Sequence, residues 1–297
     1  MEKKITRIGD DFALNKAKAK HDFLLCIDSD GCVFDTMNAK HKLCFAPLAI
    51  EFFKIEQYKD HLYDFWQDFN LYTATRGINR FKGIVAFLEQ AKKIKALHFS
   101  CEEEQMFDTY KQWTKETTSL SNKSLETFIL SQDNTIAKTI LAWSIAVNEK
   151  IAALKHEEKK LFINAKRLIA KASEYADIAV VSSAPGAEIH EEWSQAHLTQ
   201  YVNTICTQED GGKGKIISTL LALGYKPDNV LVIGDALSDL ENAKKNACLF
   251  FPVLPDEEEN SWQALETTYL DEFFSGSYKT NSEKKLIEAL YKKLPST

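Results

Sequence analysis

Hydrophobic positions along the chain follow two different rhythms. Five short apolar runs, bounded by polar or turn-forming residues, lie at Phe23–Ile27, Ile178–Val181, Val202–Ile205, Val230–Ile233 and Cys248–Phe251. Runs that stay apolar from one position to the next predict strands buried on both faces of a sheet. Between the later runs, Ile216 to Leu223 and Ala236 to Asn246 carry helical patterns, so strands and helices alternate as in a parallel α/β sheet. Within residues 36–176 the rhythm is helical instead. Phe81, Ile84, Val85 and Leu88 share one face, as do Ile136, Ile140, Trp143 and Val147, and as do Leu161, Ala165, Leu168, Ile169 and Ala172. These stripes read as helix–helix core. Leu286, Ile287, Leu290, Tyr291 and Leu294 predict a covering helix near the C-terminus.

Glycine and proline draw the same boundary. Residues 36–176 hold one proline (Pro47) and two glycines (Gly77, Gly83), whereas the remaining 156 residues hold five prolines and nine glycines. Because these residues punctuate strands, turns and loops, the middle segment is expected to be nearly all helix. The predicted fold class is therefore α/β: a Rossmann-like parallel-sheet core from residues 1–35 and 177–297, with an all-helical domain inserted at 36–176. The first twenty residues are expected to form an amphipathic extension docked on the core.

Composition narrows the function. The 297 residues are 44% hydrophobic and 27% charged, which suits a core-forming globular chain rather than a disordered or fibrous one. A net charge of -6 offers no general attraction to nucleic acid or an anionic membrane. No apolar run reaches bilayer length, and the charged Met1–Arg7 start lacks the apolar centre of a signal peptide, so a cytoplasmic location is expected. The six cysteines show neither a C-x-x-C pair nor zinc spacing and read as buried free thiols. The average charge hides a split: residues 36–176 carry 21 Lys/Arg and 17 Asp/Glu, the rest 16 and 26.

In open α/β sheets, ligands bind beyond the carboxyl ends of the strands. The first run leads into Asp28-Ser29-Asp30-Gly31-Cys32-Val33-Phe34-Asp35, the second into Ser182-Ser183, and the fourth into Gly234-Asp235 and, four residues on, Asp239. The third leads to Gly211-Gly212-Lys213-Gly214-Lys215, at the start of a helix. Converging carboxylates call for an offsetting cation, and hard oxygen donors suit Mg²⁺. A hydroxyl and a lysine beside that metal suit a phosphoryl group, and one carboxylate can then act as the nucleophile.

Asp28-x-Asp30-Gly31-x-x-x-Asp35, the strand ending in Ser182, the helix-opening Lys213 and Gly234-Asp235-x-x-x-Asp239 resemble, in order, the four motifs of the haloacid dehalogenase (HAD) superfamily. The resemblance covers the 156 core residues; the insert matches only in position, as a type 1 helical cap. It implies Mg²⁺-dependent hydrolysis of a small phosphate monoester through an aspartyl-phosphate on Asp28. Asp30 would be the general acid/base, with its backbone carbonyl on the metal. Ser182 and Ser183 would hold the phosphoryl group and Lys213 would pair with it, Lys215 being a rival. Asp235 and Asp239 would ligate the metal. An aspartate at position 30 disfavours dehalogenation, since halide needs no proton on leaving. A sugar-phosphate phosphomutase, or a non-catalytic protein of this fold, is the alternative.

Other polar residues have plainer readings. Asp35 reads as a helix cap and Cys32 as a small buried residue. Glu188 and His190 read as surface groups at a helix start, Asp256–Glu259 as a solvated helix start, and His21, His61, His98 and His156 as surface residues. Arg76, beside Gly77 in the glycine-poor segment, is the one insert residue proposed to meet substrate, its rival role being an ordinary helix-end arginine.

Overall fold

The computed structural model describes residues 19–155 and 158–296. Nearly all of the predicted N-terminal extension, and His156, lie outside them. The described residues fall into two compact units: 19–37 with 158–296, and 38–155.

In chain order, β1 (Leu24–Ile27) opens the first unit. The helical unit then contributes α1 (Ala46–Phe52), α2 (Lys59–Leu71), α3 (Arg80–Lys93), α4 (Cys101–Glu116), α5 (Asn122–Ser131) and α6 (Thr135–Ala152). The first unit resumes with α7 (Ile163–Ala172), β2 (Asp177–Val181), α8 (Gly186–Gln195), β3 (Thr204–Cys206) and α9 (Lys213–Leu221). It closes with β4 (Val230–Gly234), α10 (Leu237–Lys245), β5 (Leu249–Pro252), α11 (Glu258–Ala264) and α12 (Glu283–Lys293), together with shorter turns of helix.

Among the described residues the strands form one parallel sheet in the order β3-β2-β1-β4-β5. Alternate side chains feed two cores. Leu25, Ile27, Ile178, Val180, Leu231 and Ile233 enter one, while Leu24, Cys26, Ala179, Val181, Val230 and Val232 enter the other. Burial on both faces is the reason these strands read as continuous apolar runs. The chain order reverses beside β1, the central strand, which puts the β1 carboxyl end at the switch point where such sheets bind ligands.

The helical unit has its own core around Trp66, Phe87, Phe107, Tyr110, Ile140 and Trp143. Its helices α3 to α6 begin at caps that the sequence supplies: Asn79, Ser100, Ser121 and Asn134 each accept a backbone N–H of the first turn through the side chain.

One boundary moves. Scarcity of glycine and proline predicts an insert up to residue 176, but α7 belongs to the sheet unit, because Ala165, Leu168, Ile169 and Ala172 share a core with the strands. Scarcity of glycine and proline marks helix; it does not mark which core a helix faces. The third strand also shifts, starting at Thr204 after a short turn of 3₁₀ helix at Thr199–Tyr201.

Candidate active site

Asp28 follows β1 directly and is buried. Its backbone N–H donates to Ile233 O at 3.0 Å, continuing the β1–β4 ladder by one residue. The chain then turns sharply. Ser29 O accepts the N–H groups of Val33 (2.9 Å) and Phe34 (3.2 Å), and Gly31, with φ of +75°, donates its N–H to Phe34 O at 2.8 Å. That left-handed backbone suits glycine, which has no Cβ to clash. Ser29 N–H donates to Asp28 Oδ1 at 2.8 Å, and Thr36 Oγ1 donates to Asp30 Oδ1.

Three buried carboxylates gather here: Asp28, Asp235 and Asp239 each offer an oxygen within 4.8 Å of the others. Asp235 stands at the end of β4, and Asp239 lies in the first turn of α10. Gly234 makes the approach of Asp239 feasible, since a Cβ there would meet the Asp239 carboxyl at 2.5–2.6 Å. Lys213, the first residue of α9, puts Nζ 2.8 Å from Asp28 Oδ2 and 2.6 Å from Asp239 Oδ1. Lys215 is exposed instead. Ser182 directly follows β2 and is buried, its Oγ accepting from Ala184 N–H at 3.1 Å, whereas Ser183 is exposed.

The electrostatics follow from this crowding. Burial pushes the Asp28 carboxyl well above the usual range; Lys213 pulls it down, and Asp239 and Asp235 push it up again. Burial acts to lower Lys213, but the Asp239 and Asp28 carboxylates hold it above the usual lysine range. At Asp28 burial outweighs the pull of Lys213, whereas at Lys213 the two carboxylates outweigh burial, so both shifts run upward. Cys32 is fully buried, and burial with Asp28, Asp235 and Asp239 nearby raises its thiol, so it stays protonated and inert.

A second acidic group was missed in the sequence. Asp30, Glu188 and Glu192 bring carboxylate oxygens within 4.8 Å of one another, and Lys159 Nζ lies 3.4 Å from Glu192. Glu188 is thus not merely a surface group. The available signal was the i, i+4 spacing of Glu188 and Glu192 on one face of α8. Glu259, expected in a solvated helix start, instead accepts the Ile163 and Asn164 N–H groups and caps α7. His41, not singled out from sequence, is buried and accepts from Trp66 Nε1 at 2.9 Å. Arg76 lies in the helical unit, buried, with its guanidinium donating to Leu71 O, at the end of α2. That contact is the helix-end role weighed against substrate binding.

A protein-family model described as "Haloacid dehalogenase-like hydrolase" matches residues 100–253, just over half of the chain. The chain belongs to this family of hydrolases. The matched stretch includes Ser182, Lys213, Asp235 and Asp239, and Asp28 and Asp30 precede it. No curated protein matches the chain. Among solved structures, the chain is similar to a hydrolase from Pseudomonas syringae (12% identity, 83% of this chain and 91% of that one, TM-score 0.47). It is also similar to a haloacid dehalogenase-like family hydrolase from Streptococcus pneumoniae (11%, 81% and 90%, TM-score 0.42). A third, from Haemophilus somnus and described as a predicted phosphoglycolate phosphatase, shows 12% identity over 78% of this chain and 86% of that one, TM-score 0.45. Among the described residues, no helix is long and apolar enough to cross a membrane.

Proposed function

We propose that this hydrolase removes the phosphoryl group from a small phosphate monoester through an aspartyl-phosphate on Asp28. The observation that carries this reading is Lys213 held between Asp28 and Asp239, with Asp235 beside them, at the switch point of the sheet. The all-oxygen donor set fits Mg²⁺: Asp28, Asp235 and Asp239, with the backbone carbonyl of Asp30, would hold it. When bound, such a cation supplies charge neutralisation for carboxylates and phosphoryl oxygens alike.

The chain's own residues do the rest. One Asp28 carboxylate oxygen attacks phosphorus, forming the O–P bond as the ester O–P bond breaks. Asp30 gives its proton to the departing alkoxide, then takes one from the water that attacks the aspartyl-phosphate, which frees Asp28 and inorganic phosphate. Lys213 and the Ser182 hydroxyl bind the equatorial oxygens of the phosphoryl group. Thr36 orients the Asp30 carboxyl by donating to it. The inserted helical unit is the cap of the family plan, and substrate choice is assigned to it, with Arg76 as its candidate contact.

The test is phosphate release from a panel of sugar phosphates, nucleotides and phosphoglycolate with Mg²⁺. Release by the wild type and its loss in Asp28→Asn support the reading; no release from any compound, or full turnover in the variant, overturns it. Isomerised sugar phosphate without inorganic phosphate would mean a mutase.

A further inference from the structure

We propose that Trp193 and Trp262 are positioning residues for the turn that presents Asp28 and Asp30, their indole N–H groups fixing it from two separate helices. The inference rests on the phosphatase reading of that turn. The chain has five tryptophans, and the two in the sheet unit are both fully buried. Trp193, on α8, donates Nε1–H to Ser29 Oγ at 2.9 Å. Trp262, on α11, donates Nε1–H to Cys32 O at 2.7 Å. A buried indole needs one acceptor, and a sheet core offers many. Both of these reach the same four-residue stretch, 29–32, which follows Asp28 directly and contains Asp30.

The coupling to Asp28 is short. Trp193 holds the Ser29 side chain, and Ser29 N–H donates to Asp28 Oδ1 at 2.8 Å. The Phe34 ring meets Trp193 edge-on, with centroids 6.1 Å apart, closing the far side of the turn. An indole locked in a core is a donor with little freedom, which suits a group that must be held to a fraction of an ångström. Phosphate contacts through Ser182 and Lys213 do not pass through either ring. Loss of an indole bond should therefore slow turnover without weakening substrate binding.

The experiment is steady-state hydrolysis of p-nitrophenyl phosphate, with Mg²⁺, by the full chain and by W193F, S29A, W193F/S29A and W262F. In W193F and S29A, kcat should fall about tenfold. KM should stay within about twofold. The double variant should be no slower than either single one, because both remove the same bond. W262F should show a similar loss in kcat. Should W193F fail to fold, S29A keeps the ring packing and carries the test. A second readout is independent of turnover: the Trp193 indole ¹H–¹⁵N resonance should move in S29A while those of Trp66, Trp113 and Trp143 stay. Unchanged kcat in S29A and W262F, a raised KM at constant kcat, multiplying losses, or an unmoved Trp193 resonance overturns the proposal and leaves the phosphatase reading intact. A wild type that releases phosphate from neither p-nitrophenyl phosphate nor any compound of the panel sinks that reading, and this proposal with it; where only a panel compound turns over, the same variants are compared on that compound.

Discussion

The two units bury opposite kinds of charge. Among the described residues, the sheet unit buries the carboxylates Asp28, Asp177, Glu192, Asp235 and Asp239, while the helical unit buries Lys40, His41 and Arg76 and no carboxylate. Sequence composition shows only a mild form of this split. Burial sharpens it, because a carboxylate out of water is costly unless paired or hydrogen-bonded, and so is kept only where structure or chemistry uses it. Asp177 shows the structural use: Tyr225 Oη at 2.7 Å, Asn203 Nδ2 at 2.8 Å and the Lys20 and His21 N–H groups surround it. Asp28 and Asp239 share Lys213, and with Asp235 they form an all-oxygen cluster.

The largest expected effect tests that contrast directly. Asp28→Asn should lower phosphate release by about a thousandfold or more, measured as inorganic phosphate under saturating substrate. Next, Lys213→Met leaves buried carboxylates uncompensated, and chemical denaturation without metal should show about 3 kcal/mol less stability. Equal stability would break the contrast at its centre. Arg76→Ala should cost about 1–2 kcal/mol by the same measurement, for the lost bond to Leu71 O. A KM rise beyond about tenfold in that variant would add substrate binding to its role.

The pH dependence of the metal-free protein should be smaller but diagnostic. Asp28 has a raised affinity for its proton in the fold, through burial and then Asp239 and Asp235 against the opposing Lys213. Its contribution to stability is thus present below the unfolded carboxylate range and lost as pH rises through the folded value. Asp28→Asn should raise Tm by a few degrees in neutral, metal-free buffer, with the gain vanishing in acid. The finest effect concerns the thiols. Burial pushes Cys206 up to about 12 and Cys248 up to about 11, and Cys101 is the exposed cysteine of the six. Native protein at pH 8 should react with Ellman's reagent at Cys101 alone, and at all six once unfolded.

Much of this was legible in the chain. Continuous apolar runs ending in Asp28, Ser182 and Asp235 marked both the strands and the polar edge beyond them. Lys213 stood out at the head of a helix, and its preference over Lys215 comes down to which side chain that helix start turns inward. The unread part is tertiary. Pattern shows that Ile163–Ala172 is helical but not that its apolar face meets the sheet. Glu188 and Glu192 share a helix face, yet only folding brings that face to Asp30. Arg76 announced itself as a cation beside a glycine, and nothing local told that its guanidinium turns back on the end of the preceding helix.

The position of the insertion also sets an order of events. β1 pairs with β2 and β4, so Leu24 waits roughly 150 residues for Asp177 and longer for Val230. On the ribosome the helical unit, whose contacts are nearer in sequence, emerges whole while the central strand is still without neighbours. The Asp28 turn then closes late, when the loop over the insertion is drawn shut, and a truncated chain would carry a finished helical unit and no active site.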